Sequence, residues 1–262
     1  MSEATQEDGD ATAAPVAAMA LENTTCPVCE CATDYTFRKN GFPIRKCCGC
    51  GYLHVAPRPP VATIINHYLT NYRGATADFY PKAASRRWRG FWRSLVFVPY
   101  IRGKKVLEIG CGGGFMVEAF GRFAREAVGV DLSENSIAYA RKRWPQHRFF
   151  AEGLGAFASR GESFDFVFSS EVLEHVLDPH EFMDTLRRCV RPGGYAYVSA
   201  PDAGHKAVPR DISTWEDICP PEHLQWFSQH NMVLLFERYG FRLHHDYKSR
   251  TPAHSVLFQR LG

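Results

Sequence analysis

The chain has 262 residues, 45% hydrophobic and 13% aromatic, which suffices for one full-sized core and a small additional module. No apolar run approaches the roughly 18 residues that a transmembrane helix needs, and a formal net charge of +3 is too small to indicate a nucleic acid or an anionic membrane as partner. We therefore expect a soluble protein without a membrane partner.

The amino-terminal segment is polar and acidic. Residues 1–21 contain no lysine or arginine and several acids. They lack the cationic start and the long apolar segment of a secretory signal, and their composition is typical of a disordered tail. We expect residues 1–21 to form a disordered acidic tail and the protein to be cytoplasmic.

Residues 22–57 are predicted to form a zinc-binding module of the zinc-ribbon type. Six of the nine cysteines fall within residues 26–50, and two C-x2-C pairs are separated by 17 residues. Two such turns can place four thiolates around one structural Zn²⁺. The expected ligands are Cys26, Cys29, Cys47 and Cys50. The alternative is a set of free buried thiols, and either of the additional cysteines, Cys31 or Cys48, could replace a neighbouring ligand.

The sequence PRPP at 57–60 marks the end of this module, and residues 58–100 are predicted to be a helical lid or linker. We expect Tyr68 and Tyr72 to belong to this lid, which would close over a ligand site.

The run SRRWRGFWRSL, residues 85–95, mixes arginines with aromatic residues. Four apolar residues recur at helical spacing, which predicts a packed stripe with Arg87 and Arg93 facing solvent. These residues are Trp88, Phe91, Trp92 and Leu95. The alternative is a surface for nucleic acid, since such surfaces combine cations with aromatic rings.

Residues 101–262 alternate strand and helix patterns, which predicts an α/β fold with a doubly wound, mostly parallel sheet. The helix after Asp178 has a clear start signal, because Asp178 can cap it, Pro179 fits its first turn and Glu181 can complete a capping box. Two strands are expected after the last helix, in FRLHHDYK and HSVLFQR.

A glycine-rich turn follows the first of these strands. The pattern is E-x-G-x-G-x-G, starting at Glu108, and an acid, Asp131, ends the next strand. The spacing does not fit the dinucleotide fingerprint, because its third glycine would fall at Phe115. Glycines let a ligand approach the backbone closely, and an acid at that strand end can accept both hydrogen bonds of a ribose diol. The turn therefore indicates a nucleoside-containing small molecule.

Residues 65–262 resemble the class I S-adenosylmethionine (SAM)-dependent methyltransferases, in the branch that contains many small-molecule enzymes. The resemblance is carried by VLEIGCGGG, GVDLS, FDFVFSSEVLEHVLDP, LRRCVRPGGYAYVSAP and PEHLQWFS, in that order. It implies a Rossmann-like sheet of seven strands whose last strand is antiparallel, and SAM as co-substrate.

The same resemblance implies a set of SAM-binding residues. Asp131 would hold the ribose hydroxyls and Leu132 would pack on the adenine. The full expected set is Glu108, Gly110, Gly112, Gly114, Asp131, Leu132, Gly153, Leu154, Ser169 and Ser170.

Two histidines are candidates for a catalytic base. His175 follows the fourth core strand, and His223 lies in PEHLQWF. A histidine suits proton removal from a hydroxyl near neutral pH. Either histidine could instead be a packing or scaffold residue.

Glu171, Glu174 and His175 spell Glu-x-x-Glu-His, which resembles the metal-ligand run of quinone O-methyltransferases and small-RNA 2′-O-methyltransferases. A divalent metal is therefore a further hypothesis. The favoured function is methylation of a small-molecule oxygen, on a natural product or sugar, with nitrogen as a possible acceptor atom. The competing hypothesis is a zinc-containing RNA or protein methyltransferase.

Overall fold

The structure is a computed structural model that describes residues 25–64 and 74–262. The expected acidic tail, residues 1–21, and the lid residues Tyr68 and Tyr72 lie outside this part of the chain. Among the described residues, no helix is both long and apolar enough to span a bilayer.

The amino-terminal module contains a four-stranded antiparallel sheet with the order β1-β2-β3-β9. Its strands are β1 (Thr33–Lys39), β2 (Phe42–Cys47), β3 (Leu53–Val55) and β9 (Gln225–Trp226). The fourth strand comes from the far end of the chain: Leu53 pairs with Trp226 and His54 with Gln225. The module is therefore built partly from the PEHLQWFS segment, a connection that the sequence did not indicate.

The main sheet has seven strands in the order β10-β11-β8-β7-β4-β5-β6. They are β4 (Lys105–Ile109), β5 (Glu126–Asp131), β6 (Arg148–Ala151), β7 (Phe164–Ser170), β8 (Val190–Pro201), β10 (Phe241–Asp246) and β11 (Ala253–Arg260). Only β11 runs against its neighbours, β8 and β10. The predicted mostly parallel, doubly wound α/β sheet is confirmed, including its reversed last strand.

Helices cover both faces of this sheet. They are α1 (Ala83–Leu95), α2 (Val98–Ile101), α3 (Phe115–Gly121), α4 (Glu134–Arg143), α5 (Leu154–Ala158), α6 (Pro179–Cys189) and α7 (Gln229–Arg238). One core lies between the sheet and α2, α3 and α4; the other lies beneath α5, α6 and α7 and continues into the cysteine module. As predicted, the Asp178 side chain caps α6, accepting from the His180 amide.

The aromatic stripe predicted for α1 is wrong. Trp88 is 64% exposed and Trp92 is 52% exposed, whereas Gly90 and Ser94 are buried. A Cβ atom at Gly90 would lie 3.2 Å from the Phe115 carbonyl oxygen, so the small residues let α1 approach α3 closely. Close approach of backbones thus outweighs the burial of large rings in orienting this helix.

Candidate functional site

The glycine-rich turn between β4 and α3 has left-handed backbone at all three motif glycines. The φ angles are +74° at Gly110, +48° at Gly112 and +74° at Gly114. A Cβ atom would lie 2.3 Å from Val172 Cγ2 at Gly110 and 2.6 Å from Tyr80 Oη at Gly112. The sequence predicted that a ligand excludes side chains here, but in the structure the protein's own side chains already do so.

Asp131 links the glycine-rich turn to the end of β5. Its Oδ2 accepts a hydrogen bond from the Gly112 amide at 2.7 Å, and its Oδ1 accepts one from the Ser133 amide at 2.8 Å. Ser133 in turn caps α4 by accepting from the Ser136 amide. The carboxylate therefore fixes the glycine turn against the end of β5.

Glu108 lies beneath the turn rather than at its surface. It is buried, and its Oε2 accepts from the Val117 amide at 3.1 Å. Burial raises the pKa of this carboxyl well above its usual range. These contacts suit a residue that ties α3 to β4.

Leu132, Gly153 and Leu154 lie beside the end of β5. Leu132 is 70% exposed, and a Cβ at Gly153 would be 3.7 Å from Leu132 Cδ2. Leu154 starts α5 and is half-buried. An exposed leucine next to an uncrowded glycine leaves an apolar surface against which a flat ring could pack.

The end of β7 carries a polar network that includes Arg93, which was predicted to face solvent. Arg93 of α1 donates to Ser170 Oγ at 3.1 Å and to Tyr197 Oη at 3.0 Å. Ser170 also bonds Ser199 Oγ at 2.7 Å, while Ser169 is buried and its hydroxyl has no partner among the described residues. The predicted solvent orientation of Arg93 is wrong, because the helix faces inward through Gly90 and Ser94. That pair of small residues, four apart, was the available signal.

His175 and His223, considered separately in the sequence, lie together. Their ring centroids are 4.8 Å apart. Nδ1 of His175 bonds the Glu222 carbonyl at 2.7 Å, and Nδ1 of His223 bonds the Asp217 carbonyl at 2.8 Å. Because a carbonyl can only accept, each Nδ1 carries a proton, so in the neutral imidazole Nε2 is the nitrogen with the lone pair.

Glu174 completes this cluster. Its side chain is 1% exposed, and neither carboxylate oxygen has a hydrogen-bond donor among the described residues. Burial, with the nearby charge of Glu171, raises the pKa of Glu174 well above its usual range. One ligand atom each from Glu174, His175 and His223 lies within 4.8 Å of the others. We call these three residues the acceptor cluster. Glu174 Oε1 lies 3.7 Å from His175 Nε2, which is too far for a hydrogen bond. A buried carboxyl without a hydrogen bond needs a cation or a hydrogen-bond donor.

The four cysteines predicted as ligands come together in the module. All four Sγ atoms lie within 4.8 Å of one another, with Cys26 and Cys50 at 3.7 Å and Cys29 and Cys47 at 3.3 Å. The Gly49 amide donates to the Cys47 sulfur at 3.3 Å. Cys31 and Cys48 are exposed and outside this group.

The sheet order, the glycine turn and the acid at the end of β5 define a Rossmann-like methyltransferase fold. Residues 82–246 match the family described as "Methyltransferase domain", so the chain belongs to that family. This part of the chain is a methyltransferase domain of the SAM-dependent class.

Curated relatives include a ubiquinone biosynthesis O-methyltransferase of Sinorhizobium fredii, 34% identical over 150 residues. The match spans 48% of this chain and 58% of that relative. One from Roseobacter denitrificans is 28% identical over 169 residues, spanning 58% of this chain and 68% of the relative. The chain thus covers little more than half of the first of these relatives.

Solved structures share the fold. A SAM-dependent methyltransferase from Mesorhizobium loti aligns with a TM-score of 0.54 at 21% identity, covering 65% of this chain and 98% of its own. Magnesium protoporphyrin IX methyltransferase from Synechocystis, solved with bound S-adenosylhomocysteine (SAH), gives 0.56 at 15% identity and covers 76% and 99%. At these identities the likeness establishes the fold alone.

Proposed function

We propose that the protein methylates a hydroxyl oxygen of a small molecule, such as a natural product or a sugar. The acceptor cluster is the observation that carries this proposal. It brings Glu174 and His175, from the segment after β7, together with His223, from the segment before β9, and each neutral histidine has a lone pair on Nε2. The O-methyltransferase relatives support oxygen as the accepting atom.

The proposed reaction is an in-line attack by the acceptor oxygen on the methyl carbon of SAM. The C–S bond breaks, SAH leaves, and the hydroxyl proton passes to Nε2 of His175 or His223. Holding oxygen and methyl in near-attack geometry can supply several kcal/mol of the barrier reduction. Val172 packs against Gly110 of the glycine-rich turn, and His175 lies three residues further along the chain. This short segment connects the proposed SAM site to His175.

As an alternative to a histidine base, the residues of the acceptor cluster fit a divalent cation, which would bind through the same Nε2 lone pairs. Two imidazoles oriented by backbone carbonyls, and a carboxylate without a donor, form the donor set that such a cation takes. When bound, the cation would lower the pKa of an acceptor hydroxyl. Glu171 is at φ +55°, a strained conformation for a non-glycine residue, and could contribute from the cluster's edge.

For SAM itself, we propose the predicted residues together with Arg93 and Tyr80, with Glu108 supporting the turn from beneath instead of touching the ligand. The Arg93 guanidinium at the end of β7 is placed to neutralise the methionyl carboxylate. Tyr80, 3% exposed and against Gly112, would cover the turn.

We further propose that the four clustered cysteines hold one structural zinc ion. A tetrahedron of Zn–S bonds of about 2.3 Å has sulfur–sulfur edges of about 3.8 Å, near the observed separations. Four thiolates leave no open position, so this ion would have no direct part in methyl transfer.

The test is a screen of phenolic and sugar acceptors with methyl-labelled SAM, followed by His175→Ala and His223→Ala. We expect kcat to fall at least about 100-fold in one variant, the size of general-base catalysis. His230→Ala, an exposed histidine on α7, is the matched control. Unchanged kcat in both cluster variants would remove the base from the mechanism. If EDTA abolishes activity while zinc stays bound, the divalent cation is supported.

The exposed face of α1 favours RNA as a second candidate acceptor. Trp88 and Trp92 stand in T-shaped contact at 5.4 Å, among arginines, where unpaired bases could stack. Labelled SAM with total RNA tests this directly. RNA labelling that is lost in Trp88→Ala/Trp92→Ala would support RNA, and absence of label in RNA from wild-type protein would reject it.

A further inference from the structure

A buried hydrogen-bond chain runs from the cysteine module to the acceptor cluster. Tyr52, two residues after Cys50, bonds Gln225 Oε1 through its hydroxyl. Gln225 Nε2 donates to the carbonyl of Leu173 at 2.6 Å and to that of Val176 at 3.1 Å. Tyr52 is 1% exposed and Gln225 is 2% exposed, so water does not compete for these bonds.

The two carbonyls held by Gln225 flank Glu174 and His175, two of the three residues of the acceptor cluster. Leu173 immediately precedes Glu174, and Val176 immediately follows His175. The Glu174 carbonyl is held as well, by the Leu224 amide at 2.8 Å. The backbone around both cluster residues is therefore clamped by the 224–225 segment.

Tyr52 fixes the orientation of the Gln225 amide. The Gln225 NH₂ group must face the two carbonyls, because an oxygen there would repel them. Its oxygen then faces Tyr52, whose hydroxyl supplies the proton. Loss of that hydroxyl leaves a buried amide oxygen unpaired, which favours rotation or displacement of the side chain.

The module reinforces the same segment through its backbone. The Val55 amide of β3 bonds the Leu224 carbonyl at 2.8 Å, and Asn231 Nδ2 bonds the Cys50 carbonyl at 3.3 Å. β3 and β9 also form the edge of one sheet. The position of the 224–225 segment is thus set by residues that directly follow the second cysteine pair.

We propose that the four-cysteine module is a positioning element of the acceptor site, acting through Tyr52 and Gln225. Neither residue touches the reacting atoms; together they hold the backbone that presents Glu174 and His175. This inference rests on the proposed role of the acceptor cluster. It gives the module a part in turnover beyond stabilising the fold.

Tyr52→Phe in the full chain is the test, with Tyr35→Phe, an exposed tyrosine of the same module, as control. We expect kcat to fall about tenfold, the rate equivalent of one hydrogen bond, with the SAM Kd unchanged. Gln225→Met, which keeps the side-chain length but removes the amide, should have the same effect and serves if Tyr52→Phe does not fold.

Amide hydrogen exchange provides a readout that needs no acceptor. Exchange in residues 172–177 should rise at least threefold in Tyr52→Phe and Gln225→Met and stay unchanged in Tyr35→Phe. If exchange rises but wild-type protein methylates no oxygen acceptor, the positioning role stands and the proposed function fails. Unchanged exchange in both variants, or equal losses of kcat and SAM affinity, would overturn the inference.

Discussion

The Gly112 amide donates to the Asp131 carboxylate at 2.7 Å, so one hydrogen bond joins the glycine turn after β4 to the end of β5. The two motifs lie 19 residues apart in the chain and on adjacent parallel strands. A carboxylate in this position both shapes the turn and presents acceptor oxygens beside it.

We predict that Asp131→Ala raises the SAM Kd about 10- to 100-fold, because the variant loses the bond to the turn and the acceptors for the ribose. Isothermal titration with SAM and SAH measures this. Glu134→Ala, an exposed acid in the first turn of α4, controls for the loss of charge. Equal affinities in wild type and Asp131→Ala would contradict the ribose assignment.

Gly110 and Gly161 allow a comparison of contact with backbone strain. Their φ angles are +74° and +71°, but a Cβ at Gly161 meets nothing within 4 Å, whereas one at Gly110 meets Val172 at 2.3 Å. We predict that Gly161→Ala costs about 1 kcal/mol of unfolding free energy and Gly110→Ala about 1 to 3 kcal/mol more. Denaturant unfolding checks both; equal losses would show that Val172 moves aside freely.

Zinc content should depend on the clustered cysteines alone. We predict that Cys26→Ser lowers zinc from about one to well under half an equivalent per chain and destabilises the module, because three thiolates remain for a four-ligand site. Cys48→Ser should keep full zinc, since that thiol bonds Asp34 instead. Metal analysis on reduced protein decides, and full zinc in Cys26→Ser would indicate that a neighbouring cysteine such as Cys31 replaces it.

His54 should make stability depend on pH. It is buried with Nδ1 unpaired among the described residues, and burial, aided by Arg58 and Arg45, lowers its pKa to about 4. The unfolded chain, with a pKa near 6.5, therefore binds the proton first as pH falls. Stability is full above about pH 6.5 and declines until about pH 4, by at most about 3 kcal/mol.

The comparison of wild type with His54→Phe isolates this contribution, because the variant lacks the titrating group but retains the stacking on Tyr52. The free energy of unfolding, measured by denaturant at pH 7 and pH 4.5, should fall less in the variant. Parallel pH dependence of the two proteins would mean that His54 accepts its proton in the folded state.

Local patterns were sufficient to predict much of the fold. Apolar runs such as FDFVFSS predicted buried strands, and Asp178 predicted the start of α6, because strand burial and helix capping depend on residues close in sequence. The same holds for the cysteine cluster, since each C-x2-C turn brings two sulfurs together by itself.

The orientation of α1 could not be read from its periodicity. The spacing of Trp88 and Trp92 fits a helix stripe, but which stripe faces inward depends on what the helix meets. Gly90 meets the backbone of Phe115, and Arg93 meets the end of β7. Both contacts depend on the folded sheet and on α3, so the spacing of residues within α1 does not predict them.

The sequence by itself determined the alternation of strands and helices, the glycine turn with the acid that follows it, and the two cysteine pairs. Each of these features depends on residues that are close together in the chain. Only the tertiary structure decided that His223 meets His175 and Glu174, and that Gln225 joins the cysteine module to them. These contacts join residues about 50 to 170 positions apart. They depend on which surfaces pack together in the folded chain, and the local spacing of residues does not determine that packing.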